Sequence, residues 1–245
     1  MSAVSARGVC GRKARVDARP DRVPYGADAM KHPLLQPSPG QPLRILAIGA
    51  HSDDIEIGAG ATLLRLVESG VELEVCWAVL TADEDRETEA RSSAAELLGP
   101  ALTEIVVGRL RESYLPYVAT EAKDFIHSLR DRIEPDLIFT HCQHDLHQDH
   151  RIVAELVSNA FRDHLILGFE IPKYDGDLGS PNVFFEVSEE HVQHKVALLH
   201  KHFPSQATKF WFDERLFVGL ARIRGVESRS SSGLAEGFYC RKVVF

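Results

Sequence analysis

LRILAIGAHSDDIEIGAGATLLRLVESG, residues 43–70, decides the fold. LRILAIGA is a short apolar run that stops abruptly at His51-Ser52-Asp53-Asp54, the pattern of a buried parallel strand meeting a polar turn. Beyond that turn Leu63, Leu64 and Val67 fall at helical spacing, and Gly70 supplies a stop. A strand that hands over to a helix through a polar turn is the opening of a strand–helix–strand unit.

The same alternation continues downstream. VELEVCWAVL reads as a second strand, and Asp85 to Leu98 as a helix closed by Gly99-Pro100. TEIVVG is a third strand. AKDFIHSLRDRI is amphipathic, with Phe125, Ile126, Leu129 and Ile133 on one side. PDLIFTHC is a fourth strand, HRIVAELVSNAF a further helix, and LILGFEI a fifth strand. After Pro172 only HVQHKVALLHKHF (helix) and GLAEGFYCRKVVF (strand) are legible. Alternating strands and helices predict an α/β fold of three layers, a mostly parallel sheet with helices on both faces. In such sheets ligands lie beyond the carboxyl ends of the strands.

Composition sets outer limits. The chain has 245 residues, 44% hydrophobic and 26% charged, enough for one sizeable core. Residues 43–245 are read as one domain. Residues 1–42, rich in Arg, Pro and Gly without sustained periodicity, read as a flexible N-terminal extension. The formal charge of −8 argues against a nucleic-acid partner, which calls for a basic face. No apolar run approaches the roughly 18 residues of a membrane span. No apolar stretch follows Arg12, Lys13 and Arg15, so no secretory signal is expected. The four cysteines, Cys10, Cys76, Cys142 and Cys240, form no CxxC pair. Cys76 and Cys142 sit in apolar runs, which suggests buried free thiols in a cytoplasmic protein.

Two polar clusters carry the chemistry. His51, Asp53 and Asp54 follow the first strand. An imidazole and two carboxylates there are costly to leave unpaired. His51 and Asp54 can point at one ion across a tight turn, with Asp53 free to face a water. The second cluster follows the fourth strand: four His and two Asp fall within residues 141–150. His147 and His150 lie three apart, close to one helical turn. Two ligands from one loop and a third from the other leave a coordination position open, as in a catalytic zinc site. The plainer reading holds for His127, His164, His191, His194, His200 and His202, each an ordinary surface or core histidine. His144 and Asp145 fit loop or capping groups, and Asp149 a helix N-cap. Glycine fingerprints for dinucleotides, a GxSxG elbow and a Walker loop are missing.

At these residues the chain resembles the PIG-L/LmbE-like N-deacetylases. Their His-Pro-Asp-Asp motif reads AHSDDIEIG here, with Ser52 in place of Pro, and their His-x-Asp-His motif reads His147-Gln-Asp149-His150. Arg86-x-x-Glu89 before an Ala-rich helix, and Lys195 with HFPSQ, are weaker echoes. The resemblance implies a Rossmann-like fold and a metal held by His51, Asp54 and His150, zinc with Fe²⁺ as the alternative. It implies Asp53 as general base, His147 as acid or oxyanion stabiliser held by Asp149, and Arg86 as a grip on substrate hydroxyls or phosphate. The substrate it implies is a small N-acetylated sugar of the N-acetylglucosamine type, and its members are often homo-oligomers. Two alternatives share the fold: an amidase acting on a thiol-glycoside conjugate, and a catalytically silent sugar-binding protein.

Overall fold

In the computed structural model, Met1 and residues 40–244 are described. They fall almost wholly in the compact unit Pro33–Phe245. The expectation of a flexible extension over 1–42 therefore lies nearly all outside the described residues.

The chain begins with β1 (Leu43–Gly49), α1 (Asp54–Glu68), β2 (Leu73–Val79), α2 (Glu84–Leu98) and β3 (Leu102–Val107). It continues with α3 (Ala119–Leu129), β4 (Leu137–His141), α4 (Gln148–Ala160) and β5 (Leu165–Phe169). The last elements are β6 (Val183–Glu186), α5 (Glu189–His202), α6 (Glu214–Glu227) and β7 (Ala235–Cys240). All seven strands form one sheet, in the order β3-β2-β1-β4-β5-β7-β6. The pairs β1–β2, β2–β3, β1–β4 and β4–β5 are parallel, and β5–β7 and β6–β7 are antiparallel.

Alternation along β1 divides the core. Ile45 and Ala47 face α1, α2, α5 and α6, among Leu63, Ala94, Leu199 and Phe217. Leu46 and Ile48 face α3 and α4, among Ile126, Leu129, Val153 and Val157. Burying each such aliphatic side chain contributes about 1.5–3 kcal/mol, and both faces of the central strands are covered, as expected. Gly58 lets α1 sit close to the sheet: a Cβ there would meet the Phe169 ring at 2.4 Å.

The mostly parallel sheet is as read, with β7 alone running against the other strands. The sequence reading needs two adjustments. The helix read over 122–133 runs from Ala119 to Leu129, with Ile133 still packed on the core from the turn beyond it. Two elements were not anticipated: β6 has four residues, too few to show a period, and α6 carries two interior glycines, Gly219 and Gly225. Among the described residues no helix is long and apolar enough to cross a membrane. Cys76 and Cys142 are buried free thiols, as read from the sequence, and Cys240 is free as well.

Candidate metal centre

The chain leaves β1 for β2 and β3 on one side, then returns to lay β4 on the other. The β1/β4 boundary is thus a point where strand order reverses, and a crevice opens at the carboxyl ends there. Both polar clusters leave the sheet at that point. His51, Asp53 and Asp54 span the turn from β1 into α1, and residues 141–150 run from the end of β4 into α4.

Three donor groups converge there. His51 Nδ1 lies 3.2 Å from Asp54 Oδ2 and 3.1 Å from His150 Nε2. His150 Nε2 lies 3.4 Å from Asp54 Oδ1. A tetrahedral ion with bonds of about 2.1 Å needs donors roughly 3.4 Å apart, and each ring nitrogen stands near that distance from the other ring and from one of the two Asp54 oxygens. All three side chains are buried. Burial works against charge on the His51 ring, but Asp54 and Asp149 outweigh it and raise its pKa to about 10. Burial opposes ionisation of Asp54 too, yet His150, His51 and His141 hold it well below the usual carboxylate range. The pocket therefore favours positive charge at its centre.

Two other histidines come near. His51, His147 and His150 bring ligand atoms within 4.8 Å of one another, as do Asp54, His141 and His150. His141 Nε2 accepts the Ala50 N–H at 2.9 Å and also lies 3.1 Å from Asp54 Oδ2. One nitrogen cannot accept from the amide and donate to the carboxylate. Asp54 has other partners, so the amide bond decides, and the Nε2 lone pair is engaged. Burial, with His150 beside it, brings the His141 pKa down to about 4. His147 caps α4: its Nδ1 accepts the Asp149 N–H at 3.3 Å. Burial and the neighbouring His150 and His51 lower its pKa, so the ring is neutral with its proton on Nε2.

The surrounding carboxylates are distributed differently from the sequence reading. The Asp149 carboxylate does not reach His147. It meets His51 Nε2 at 3.3 Å and accepts the N–H groups of Ser113 (2.6 Å) and Leu115 (3.1 Å). The reason is local geometry: as the N-cap, His147 turns its ring toward the Asp149 backbone, and the Asp149 side chain points across to β1. Asp145, read as a loop or capping group, orients the His150 ring. Its Oδ2 meets His150 Nδ1 at 2.9 Å, and its Oδ1 accepts the His147 N–H at 2.8 Å. Lys173 braces it from the loop following β5, 3.0 Å from Asp145 and 2.6 Å from Asp177. Such carboxylate–histidine pairs fix the ring orientation of a ligand.

Asp53 sits at the N-terminus of α1 and lines the same cleft. Its Oδ1 accepts from Arg86 Nη2 at 2.7 Å, while Oδ2 has no hydrogen-bond partner among the described residues. Arg86 also donates to Ser205 Oγ at 3.0 Å, and Ser205 is held by Glu89. Arg86, expected to grip substrate, is thus largely spent on Asp53 and on the HFPSQ segment. Burial opposes its charge, but Asp53 raises its pKa.

The cleft measures about 410 Å³. Asp53, His147 and the three converging donors line it together with Glu112, Ser113, Tyr174, Asp175, Lys209 and Trp211. These last residues come from loops after β3, β5 and α5. Nothing in their spacing announced them, because loop residues carry no period. Lys209 lies 5.7 Å over the Trp211 ring, and Tyr174 is 71% exposed at the mouth, so the rim is aromatic.

Residues 46–161 match the PIG-L family, described as GlcNAc-PI de-N-acetylase. The uncharacterized deacetylase YaiS of Escherichia coli K12 is 34% identical over 178 residues, covering 64% of this chain and 89% of that protein. Among solved structures, the N,N'-diacetylchitobiose deacetylase of Pyrococcus horikoshii aligns with a TM-score of 0.62 at 22% identity, over 81% of this chain and 83% of that one. GalB, the 4-carboxy-2-hydroxymuconate hydratase of Pseudomonas putida KT2440, aligns with a TM-score of 0.65 at 16% identity, over 82% and 97%. These last two likenesses show the fold, and one fold carries more than one reaction. The sequence matches are the discriminating ones, and by them the chain belongs to the PIG-L family, as an amide-cleaving deacetylase of that family.

Proposed function

We propose that the chain removes the acetyl group from the nitrogen of a small N-acetylated sugar, releasing acetate and a free amine. The observation that carries this reading is the meeting of His51, Asp54 and His150, with donor separations of 3.1–3.4 Å, beside Asp53 and His147 in one cleft. His51, Asp54 and His150 are the residues that would hold the metal, zinc in the first instance and Fe²⁺ as the alternative. Their nitrogen and carboxylate donors suit either ion. When bound, the ion supplies Lewis acidity for activating water and polarising the acetamide carbonyl.

The protein's own groups carry the proton traffic. Asp53, fixed through Oδ1 by Arg86, takes a proton from the attacking water at Oδ2. His147 donates its Nε2–H to the oxygen that gains charge as the carbonyl carbon becomes tetrahedral. His147 Nδ1 accepts a backbone amide, so the ring acts as a neutral donor rather than an imidazolium acid. Asp53 then returns its proton to the nitrogen as the C–N bond breaks, which leaves acetic acid and the amine.

The aromatic rim supports a pyranose as the substrate body, since Tyr174 and Trp211 offer apolar faces beside polar neighbours. Buried free Cys76 and Cys142 accord with a cytoplasmic setting. Acetate release from a panel of N-acetylated sugars, with zinc or Fe²⁺ restored to chelator-treated protein, tests the proposal. Release from at least one sugar, dependent on added metal, is expected. Metal-independent release, or none from the panel, would overturn it.

A further inference from the structure

A second cleft, about 480 Å³, runs between the end of α4, β5 and the chain around and beyond the end of β7. No residue lines both this cleft and the metal cleft. Its charge is one-sided. Arg162, Arg241, Lys242, His144 and His164 line it, and no Asp or Glu does, in a chain whose formal charge is −8. Arg162 Nε donates to the Asn159 carbonyl and Lys242 Nζ to the Arg162 carbonyl, so these two cations are steered into the cleft by backbone oxygens. Neither they nor Arg241 has a carboxylate partner among the described residues.

The buried acids nearby are committed elsewhere, and Asp163 is exposed and lines a neighbouring groove. Asp145 and Asp177 are held by Lys173, and Glu170 is doubly bonded by Arg224. Glu134 stands 3.5 Å from His164 but is exposed and lines a neighbouring groove. Three polar atoms of the cleft's lining residues have no partner among the described residues: Tyr239 OH, His141 Nδ1 and His164 Nδ1. The Ala50 amide assigns the His141 ring proton to Nδ1, so this buried atom is a donor that lacks an acceptor. Phe161, Ile166 and Cys142 add apolar surface.

We propose that this cleft binds a small organic anion, a phosphate monoester or carboxylate on an apolar body, at a site separate from the catalytic one. The cations, with Tyr239 OH and His141 Nδ1, take the anionic head, and Phe161 and Ile166 take the apolar body. His141 stacks on His150 at 3.9 Å, so the wall of this cleft stands one ring away from the metal centre.

Calorimetric titration of the full-length protein with phenyl phosphate and, in parallel, benzoate tests the proposal. Saturable binding of either probe, weakening as salt rises, is expected, and the stronger one identifies the head group. The double variant Arg162→Glu/Lys242→Glu should weaken it at least about tenfold, the scale of one lost hydrogen bond to a charge. Arg162→Gln/Lys242→Gln serves if that variant fails to fold. Asp54→Asn, which impairs the metal centre, should leave binding intact. No binding of either probe would overturn the proposal, as would binding undiminished in the double variants or lost in Asp54→Asn.

Discussion

Replacing Asp149 by Asn separates two ways in which this residue could act. The carboxylate is fully buried and takes three donors: His51 Nε2 at 3.3 Å, Ser113 N–H at 2.6 Å and Leu115 N–H at 3.1 Å. An Asn side chain keeps the shape but offers one acceptor oxygen, so its NH₂ must confront at least one amide hydrogen. A buried donor left unpaired costs about 1–3 kcal/mol, and the metal-free variant should unfold earlier by that amount. The second effect falls on the ligand. Removing the partner of a ligating histidine weakens metal binding by about 10–100-fold, or roughly 1.4–2.7 kcal/mol. Competition against a chromophoric chelator measures that affinity, and turnover at saturating metal measures what remains. The expected result is a weaker metal site with much of the turnover restored by excess metal. If Asp149 acted through His147, metal affinity would be that of the wild type and turnover would stay low at any metal concentration. That outcome would refute the placement of Asp149 on His51.

Asp53→Asn should keep its metal and lose at least about 100-fold in turnover, the usual scale of a general acid–base group; near-normal acetate release excludes it as the base. Arg86→Met strips Asp53 and Glu89 of a buried cation and should destabilise the fold by about 3–5 kcal/mol in urea unfolding, a loss too large for a surface contact. Glu56 is fully buried without a cationic partner among the described residues, and burial pushes its carboxyl up to about 8 from 4.5. The folded chain then holds this proton more tightly, so the stabilisation is complete below about pH 4.5 and lost as pH rises through about 8. Glu56→Gln should therefore gain stability relative to wild type between pH 5 and pH 9 in urea titrations, and a constant difference across that range counts against the assignment. Gly58→Ala should unfold at a lower temperature, because its Cβ meets the buried Phe169 ring at 2.4 Å.

What the sequence revealed follows from which signals are local. β1, β2 and β4 carry apolar runs between turn signals, so strand identity and parallel order were readable, and with them the meeting of the two polar loops. The donors His51, Asp54 and His150 were named because residue type and motif are one-dimensional facts. Partner choice was not. Whether Asp149 faces His147 or His51 depends on how the N-cap turns one ring, and spacing says nothing of that. Asp145 was set aside as a loop residue although it is the closest carboxylate to His150, since its contact spans the turn into α4. Arg86 looked free for substrate because Ser205 and Asp53, which hold it, lie 119 and 33 residues away. Trp211 and Tyr174 reach the cleft from connections of irregular backbone, where no period exists to be read.

The stitching of Ser113 has a thermodynamic corollary. Ser113 has φ +66°, an uncommon backbone state for a residue with a side chain, and α4 grips its peptide at both ends: Asp149 takes its N–H and Gln148 donates to its carbonyl. The carboxylate oxygen that pins the Ser113 amide also supports His51. Loop position and ion occupancy are therefore two readouts of a single equilibrium, and linkage makes their influence mutual. Binding studies would then show metal affinity and the order of the 112–115 loop changing together, by the same free energy in either direction.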